Sequence, residues 1–143
     1  MFYIRQSMSI VKGTIAEKYT EYFFLKHGYS VSTPQLRDSP FDLLIINPED
    51  FNKTLKIQVK SAFFVKDKSS GSCWKVKLYK GGPIKQPYTI DEVDYFAIFI
   101  DELEVLYVIP FEVCGNNVAL YPHPRNETKY CKYKFNTELK WRE

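Results

Sequence analysis

The chain has 143 residues, of which 45% are hydrophobic and 17% aromatic, and a net charge of +3. This length suits one domain with a real core over residues 1–143, and the composition excludes a disordered tail. Three cysteines without C-x-x-C spacing argue against zinc and a disulfide framework and favour a reducing cytoplasm. Residues 1–6 lack the long apolar run that is typical of a signal peptide, and the longest aliphatic–aromatic run, residues 95–100, is too short to span a bilayer, so we expect a soluble, internal protein.

The first predicted element is a helix over residues 9–27. Gly28 follows it as a left-handed C-terminal stop. The helix is expected to pack on a sheet through an apolar stripe with helical spacing, formed by Ile15, Ala16, Tyr19, Tyr22 and Phe23.

A strand is predicted over residues 29–33, and two more over residues 39–46 and 54–61. Turn residues 48–52 between the last two predict a hairpin. Its first strand is apolar on both faces, as in a central buried strand, with Asp42 near its start. Its second strand alternates, with Leu55, Ile57 and Val59 on one face and Lys56, Gln58 and Lys60 on the other.

If the two strands pair, a carboxylate, an amide and an amine meet on a rigid sheet. Asp42 can hold Mg²⁺ beside a scissile phosphate, and the Gln58 carbonyl oxygen can serve as a weaker ligand or orient a water. Lys60 can neutralise a phosphate oxygen or help to deprotonate the water. The structural alternative is a strand with a polar outer face, with Asp42 as a strand-entry residue.

These residues carry a resemblance. Ser-Pro-Phe-Asp42, a hairpin and then Ile-Gln58-Val-Lys60-Ser resemble the PD-(D/E)XK nuclease superfamily, and more narrowly its small branch with Gln in place of the usual acid, which includes group I intron homing endonucleases. The resemblance extends over residues 9–112 and leaves the last thirty unassigned. It departs from the pattern at Phe41 and at Gln58, a replacement that also occurs in inactive relatives.

The resemblance implies further site residues on the predicted helix. Glu17, in Lys12-Gly-Thr14-Ile-Ala-Glu17, matches the helix carboxylate of the family and is a further candidate metal ligand and catalytic residue. Lys12 and Thr14 are assigned to nucleic-acid binding. The alternative is a capping box that starts at Thr14, with Glu17 bonding back to the backbone of a helix that begins late. The predicted apolar stripe does not direct Glu17 at a site.

The charges are unevenly distributed along the chain. Residues 53–85 contain nine lysines and one acid, whereas residues 86–120 contain seven acids and no Lys or Arg. This asymmetry favours a basic face for a polyanion, and the alternative is pairing of the two segments in intramolecular salt bridges. Residues 73–79 alternate as a strand, and we assign Lys75, Lys77 and the nearby Lys80 to nucleic-acid binding. The alternative for the lysine row is the ordinary solvated face of a strand.

The remaining elements are shorter. A strand continuing through residues 62–65, a flexible turn over 66–72 and one helical turn within 87–94 are predicted. Strands over 95–100 and 105–109 form a hairpin, followed by a helical turn over 110–114. His123 lies in a proline-flanked loop. The aromatic and basic tail, residues 129–142, is predicted to be a nucleic-acid contact, an oligomer contact or an edge strand.

Together these features predict an α/β (α+β) domain with a restriction-endonuclease-like core, a mixed central sheet, a long N-terminal helix and a small extra β region. The predicted function is a Mg²⁺-dependent DNA endonuclease of the homing, restriction or junction-resolving type, in which Mn²⁺ can substitute and no organic cofactor is needed. The alternative is an inactive DNA-binding or interaction protein on the same scaffold. A homodimer or dimer of dimers is expected, because a double-strand cut needs two sites.

Overall fold

The computed structural model describes residues 8–36, 38–66, 72–122 and 129–142. Its long helix, α1, spans Met8–Lys26, within one residue of the prediction at each end. Gly28 has φ 87°, in the left-handed region that glycine adopts without strain, and it ends the helix as predicted. No helix among these residues is long and apolar enough to cross a membrane.

The face that α1 buries differs from the predicted stripe. Ile15 and Tyr22 are exposed, by 39% and 57%, so their placement against the sheet was wrong. The buried face is instead rotated around the helix, because Phe24 packs on the sheet and the Thr20 hydroxyl is satisfied internally by the Ala16 carbonyl at 2.7 Å. The residues of this buried face are Ala16, Thr20, Phe23 and Phe24.

Ten strands are formed by the described residues. In chain order they are β1 Ser30–Ser32, β2 Leu43–Asn47, β3 Asp50–Ser61, β4 Phe63–Val65, β5 Cys73–Lys77, β6 Tyr79–Lys80, β7 Gln86–Pro87, β8 Tyr95–Ile100, β9 Val105–Pro110 and β10 Asn117–Leu120.

The central sheet has the order β1-β2-β3-β8-β9. Only the β3–β8 pair in it is parallel, so the sheet is mixed as predicted. The β2–β3 and β8–β9 hairpins confirm the strand pairs predicted from the sequence. The β3 alternation is also confirmed, since Leu55, Ile57 and Val59 are buried on the face that α1 covers. The sheet therefore has an apolar layer on each face.

A small second sheet is the extra β region that the sequence predicted. The predicted continuation of β3 breaks at Ala62, and β4 then pairs with β5 in a sheet of order β10-β5-β4. Trp74 and Val76 pack inward from β5, and Lys75 and Lys77 face outward, as predicted. Strand β10 and the short β6–β7 pair were not predicted.

Single helical turns occur near both predicted positions. The Thr89 carbonyl accepts from the N–H groups of Glu92 and Val93, and a 3-10 turn spans Phe111–Val113. The predicted turn over 66–72 and the loop containing His123 fall largely or wholly outside the described residues.

The C-terminal tail, residues 129–142, folds back on the central sheet. Lys134 forms an isolated antiparallel bridge with Tyr107 of β9, so the edge-strand alternative comes closest. The Asn136 amide donates to the Val108 carbonyl at 3.1 Å, and Trp141 packs against the core beneath α1. Of the tail aromatics, Tyr130 is buried, whereas Phe135 is 42% exposed and remains available for an oligomer contact.

Candidate active site

Asp42 lies at the entry to β2 and bonds directly to the neighbouring strand β3. Its N–H donates to the Ile57 carbonyl at 2.8 Å, and its Oδ2 accepts from the Val59 N–H at 2.9 Å. The carboxylate thus continues the hydrogen-bond ladder beyond the first residue of β2. Since Val59 lies between Gln58 and Lys60, this bond fixes the carboxylate beside both residues of the Gln-x-Lys motif.

Lys60 is held by an oxygen and by an aromatic face. Its Nζ donates to the Tyr79 carbonyl at 3.3 Å and lies 5.3 Å from the centre of the Tyr88 ring. Burial lowers the pKa of Lys60, and the nearby Asp42 carboxylate opposes that effect. The Tyr88 ring is itself buried, and its pKa is raised to about 12, mainly by burial and then by the charges of Asp42 and Glu92.

The Asp42 carboxyl group has a raised pKa. Its partial burial is the main cause, and the Val59 N–H and the Lys60 ammonium both oppose it. The two oppositely charged groups are therefore coupled, and each is partly removed from water.

Glu17 reaches the same end of the sheet from α1. It lines an open depression of about 240 Å³ with Asp42, Phe41 and Thr33. Burial raises the pKa of Glu17, and the Asp42 charge raises it further. The capping-box alternative is wrong, because α1 begins six residues before Thr14 and the Thr14 hydroxyl donates to the Ile10 carbonyl within the helix. Glu17 precedes the buried Thr20 by three residues, which explains how it lies at the sheet.

Gln58 opens onto a neighbouring depression. That space, of about 430 Å³, is lined by Gln58, Ser39, Tyr88, Lys80 and Glu92 among others. Ser39 borders both depressions. The Gln58 amide makes only a long contact, 3.4 Å, to the Val59 carbonyl. The structure thus brings Asp42, Glu17 and Lys60 together, with Gln58 adjacent on the other side of Asp42.

The donor set fits a hard divalent cation. Asp42 and Glu17 present carboxylate oxygens to one depression, and Mg²⁺ binds through one or two carboxylates while keeping several waters. A cation would also favour the charged form of Glu17, which Asp42 now disfavours. Over the described ranges, no three His, Cys, Asp or Glu side chains cluster, so an amide or water would complete the ligands.

Two of the lysines assigned to nucleic-acid binding are paired with carboxylates. Lys12 bonds to Glu102 at 3.1 Å, and Lys80 forms an ion pair with Glu92. The salt-bridge alternative for the charge asymmetry therefore holds for Lys80, whose partner comes from the acidic segment. Thr14 is exposed, with its hydroxyl directed at its own helix.

Lys75 and Lys77 differ from Lys12 and Lys80. Both are exposed on the outer face of β5, and within the described part of the chain neither forms an ion pair. They are therefore available to a phosphate without first releasing a carboxylate.

Sequence reasoning missed Tyr88 and Glu92. Tyr88 lies under the Lys60 ammonium, and Glu92 is held by the Thr89 N–H at 3.0 Å while it binds Lys80. Neither residue belongs to a recognisable motif. The signal for Glu92 was the charge asymmetry itself, which predicts that acids after residue 85 meet lysines before it. No local pattern marks Tyr88.

The arrangement is the one expected of a PD-(D/E)XK nuclease. It combines a carboxylate at the entry to one strand of a mixed sheet, a Gln-x-Lys on the hairpin partner of that strand, and a carboxylate on a helix packed against the sheet. Residues 10–142 match the PD-(D/E)XK endonuclease family, and the chain belongs to it. The match includes the C-terminal tail, which the sequence resemblance had left unassigned.

Two relatives place the chain more closely. It is 34% identical over 103 residues to Protein 5.3 of Escherichia phage T7. The aligned residues cover 72% of this chain and 81% of that protein. Its structure is similar to that of a bacterial homing endonuclease, I-Ssp6803I, with a TM-score of 0.74 and 25% identity. That similarity covers 90% of this chain and 89% of the other, so the restriction-endonuclease-like fold is shared almost throughout.

Proposed function

We propose that the protein is a Mg²⁺-dependent DNA endonuclease that hydrolyses phosphodiester bonds, with Mn²⁺ able to substitute. The observation that carries the proposal is the Asp42 carboxylate, bonded to the Val59 N–H between Gln58 and Lys60. Membership of the PD-(D/E)XK endonuclease family supports the same activity. The similarity to a homing endonuclease supports DNA as the substrate.

The residues would divide the work as follows. Asp42, Glu17 and Gln58 would hold the metal ion, which when bound stabilises charge on the phosphate and supplies an activated water. The Lys60 ammonium neutralises a phosphate oxygen as negative charge develops. The Tyr79 carbonyl and the Tyr88 ring hold that ammonium in place, so it is positioned before substrate binds.

The test is cleavage of plasmid, junction and single-stranded DNA with Mg²⁺ or Mn²⁺. Asp42→Ala and Lys60→Ala should each lower the rate at least about a hundredfold, because each removes a preorganised charge from the reacting phosphate. Folding and DNA binding should be largely retained. Matched controls are Asp50→Ala and Lys53→Ala, at the other end of β3 from Lys60, and both variants should cut like wild type.

Two results would reject this proposal. Failure of the wild-type protein to cut any substrate with either metal would remove the enzyme, and full activity in the Asp42 and Lys60 variants would remove the site. The substrate that is cut fastest decides between homing, restriction and junction-resolving roles, since substrate choice resides in loops rather than in the fold.

A second candidate is a DNA-binding or interaction protein on the nuclease scaffold without catalysis. It is favoured by Gln58, which stands where the usual pattern has an acid and which lines a different depression from Asp42 and Glu17. This candidate predicts DNA binding without cleavage in the wild type, and Gln58→Glu would then be the change to assay for metal-dependent cutting.

A further inference from the structure

The outer face of the small sheet combines exposed aromatic surface with two lysines. Phe63 of β4 is 47% exposed and lies directly opposite Lys75 of β5 in the antiparallel register. Directly opposed residues in such a pair point to the same side of the sheet, with their Cβ atoms about 5 Å apart. Phe63 and Lys75 therefore share the solvent face, and Lys77 lies two residues further along it, about 7 Å away.

On the three described strands of this face, the charged side chains are all positive. The three strands β4, β5 and β10 contain no Asp or Glu, and the residues opposite Lys75 and Lys77 on β10 are Ala119 and Asn117. In a symmetric dimer that joined two copies through this face, the lysines of one copy would meet the lysines of the other, and their charges would repel. The positive charge instead complements a polyanion.

The face also lies close to the candidate active site. Phe63 follows Lys60 by three residues, and an extended chain of that length spans at most about 11 Å. A DNA strand whose phosphate reaches Lys60 can therefore continue onto the small sheet within a few nucleotides.

We propose that this face binds an unpaired segment of DNA, with Phe63 stacking on a base and Lys75 and Lys77 binding the flanking phosphates. A base inside a duplex has both faces covered by its neighbours, so an exposed ring on a sheet selects strands whose bases are free. The inference rests on the proposed function for the choice of DNA, and it adds a preference for single-stranded or distorted sites.

The experiment is fluorescence anisotropy with chelator present, so that no strand is cut. The probes are a twelve-nucleotide thymidine strand and an abasic strand of the same length, which keeps the phosphates and lacks the bases. Phe63→Ser and Phe63→Leu should each weaken binding of the thymidine strand at least about fivefold while leaving the abasic strand unchanged. Lys75→Ala should weaken binding of both strands, since both carry phosphates.

Phe51→Ser is the matched control. Phe51 is 76% exposed at the other end of β3, so its removal should affect neither strand. Phe63→Leu keeps apolar area but not the aromatic face, so retained thymidine binding in that variant would overturn the stacking contact. Equal losses on both strands, no loss in Phe63→Ser, or no binding of the thymidine strand by wild type would each overturn the proposal.

Two further measurements distinguish base stacking from self-association and from catalysis. If light scattering shows that Phe63→Ser changes the mass of the particle and not its DNA affinity, a second copy of the chain covers the face and the proposal is wrong. Cleavage with Mg²⁺ is measured on the same variants. If the wild type binds the thymidine strand through Phe63 but does not cut DNA, the proposed enzymatic activity is wrong and the stacking contact stands. If the wild type cuts DNA but does not bind the thymidine strand through Phe63, only the stacking contact is wrong.

Discussion

At the scale of single residues, the candidate site works against folding. Asp42 and Lys60 are both partly buried, and burial disfavours the charged form of each, so the pKa of the acid is raised and the pKa of the amine is lowered. The folded protein holds the Asp42 proton more tightly, and the Lys60 proton less tightly, than the unfolded chain does. At any pH where both groups are charged, each therefore lowers the free energy of unfolding.

The pH range in which the two groups destabilise the protein follows from the raised pKa of Asp42 and the lowered pKa of Lys60. The Asp42 contribution is absent below its ordinary pKa of 3.8 and sets in as the pH rises through the raised value. The Lys60 contribution is present at neutral pH and disappears as the pH rises from the lowered value towards 10.5. Replacing both groups by neutral isosteres, in Asp42→Asn/Lys60→Met, should therefore stabilise the protein most between the two shifted pKa values.

Thermal unfolding in chelator, measured from acid to alkaline pH, checks this prediction. A gain of a few degrees at most is expected between the two shifted pKa values, because water still screens both partly exposed groups. The gain should shrink towards both ends of the pH range. Asp50→Asn/Lys53→Met, which removes the same two charges from the far end of β3, should show no such maximum. A constant gain across the range would mean that the effect comes from packing and not from charge.

At the scale of elements, β5 and the β6–β7 pair present lysines in different states. Lys75 has no carboxylate partner among the described residues, whereas Lys80 is bound to Glu92. Each lysine that reaches a phosphate releases counterion, so Lys75→Ala and Lys77→Ala should each flatten the slope of log affinity against log salt by about 0.9. Lys80→Ala should flatten it less, because Glu92 competes with the phosphate.

Glu92→Gln tests the competition directly. The amide oxygen can still accept from the Thr89 N–H, but the charge that holds Lys80 is gone. DNA affinity should rise and the salt slope should steepen, as measured by a titration at several salt concentrations.

An unchanged slope in Lys75→Ala and Lys77→Ala would mean that these two lysines are ordinary solvated surface.

Elements with a strong local period could be predicted from the sequence. The β8 and β9 bounds matched within a residue because both strands are continuous apolar runs with a turn between them. The buried face of α1 was predicted wrongly because Tyr22 and Phe24 are both aromatic, and only the sheet decides which one it covers. Strand β10 was missed because its four residues pair with β5, forty residues earlier, and are too few for their alternation to predict a strand.

The same distinction applies to the site. Asp42, Gln58 and Lys60 could be predicted because one hairpin places them, and hairpin pairing is local. The position of Tyr88 could not be predicted, since it meets Lys60 through a contact between separate segments of the chain, and for Glu92 the charge asymmetry gave a general signal without naming its partner.

At the scale of the whole molecule, the number of copies would decide the kind of cut that the proposed endonuclease makes. One site attacks one strand, so a double-strand cut most simply needs a homodimer or a dimer of dimers. The tail aromatics were expected to form the contact, and of these Tyr130 is buried while Phe135 is 42% exposed. Exposed apolar side chains on α1, among them Ile15, Tyr22 and Leu25, are a second surface to test.

Light scattering at assay concentrations measures this assembly. We expect a dimer or larger particle for wild type, and Tyr22→Glu should shift it towards monomer because a charge would be buried in the contact. Phe51→Glu, on an exposed aromatic away from α1, serves as the control. A strictly monomeric wild type would limit the protein to nicking, and a dimer that survives Tyr22→Glu would place the contact elsewhere.

The parallel pairing of β3 with β8 bears on which segment of the chain can be exchanged. Parallel neighbours cannot be joined by a tight turn, and here the connecting crossover contains β4 and β5. Asp42, Gln58 and Lys60 all precede this crossover, so we expect that the crossover can be replaced by that of a relative without removing the proposed catalytic residues. A successful exchange must carry β10 with it and must preserve a carbonyl and an aromatic ring at Tyr79 and Tyr88.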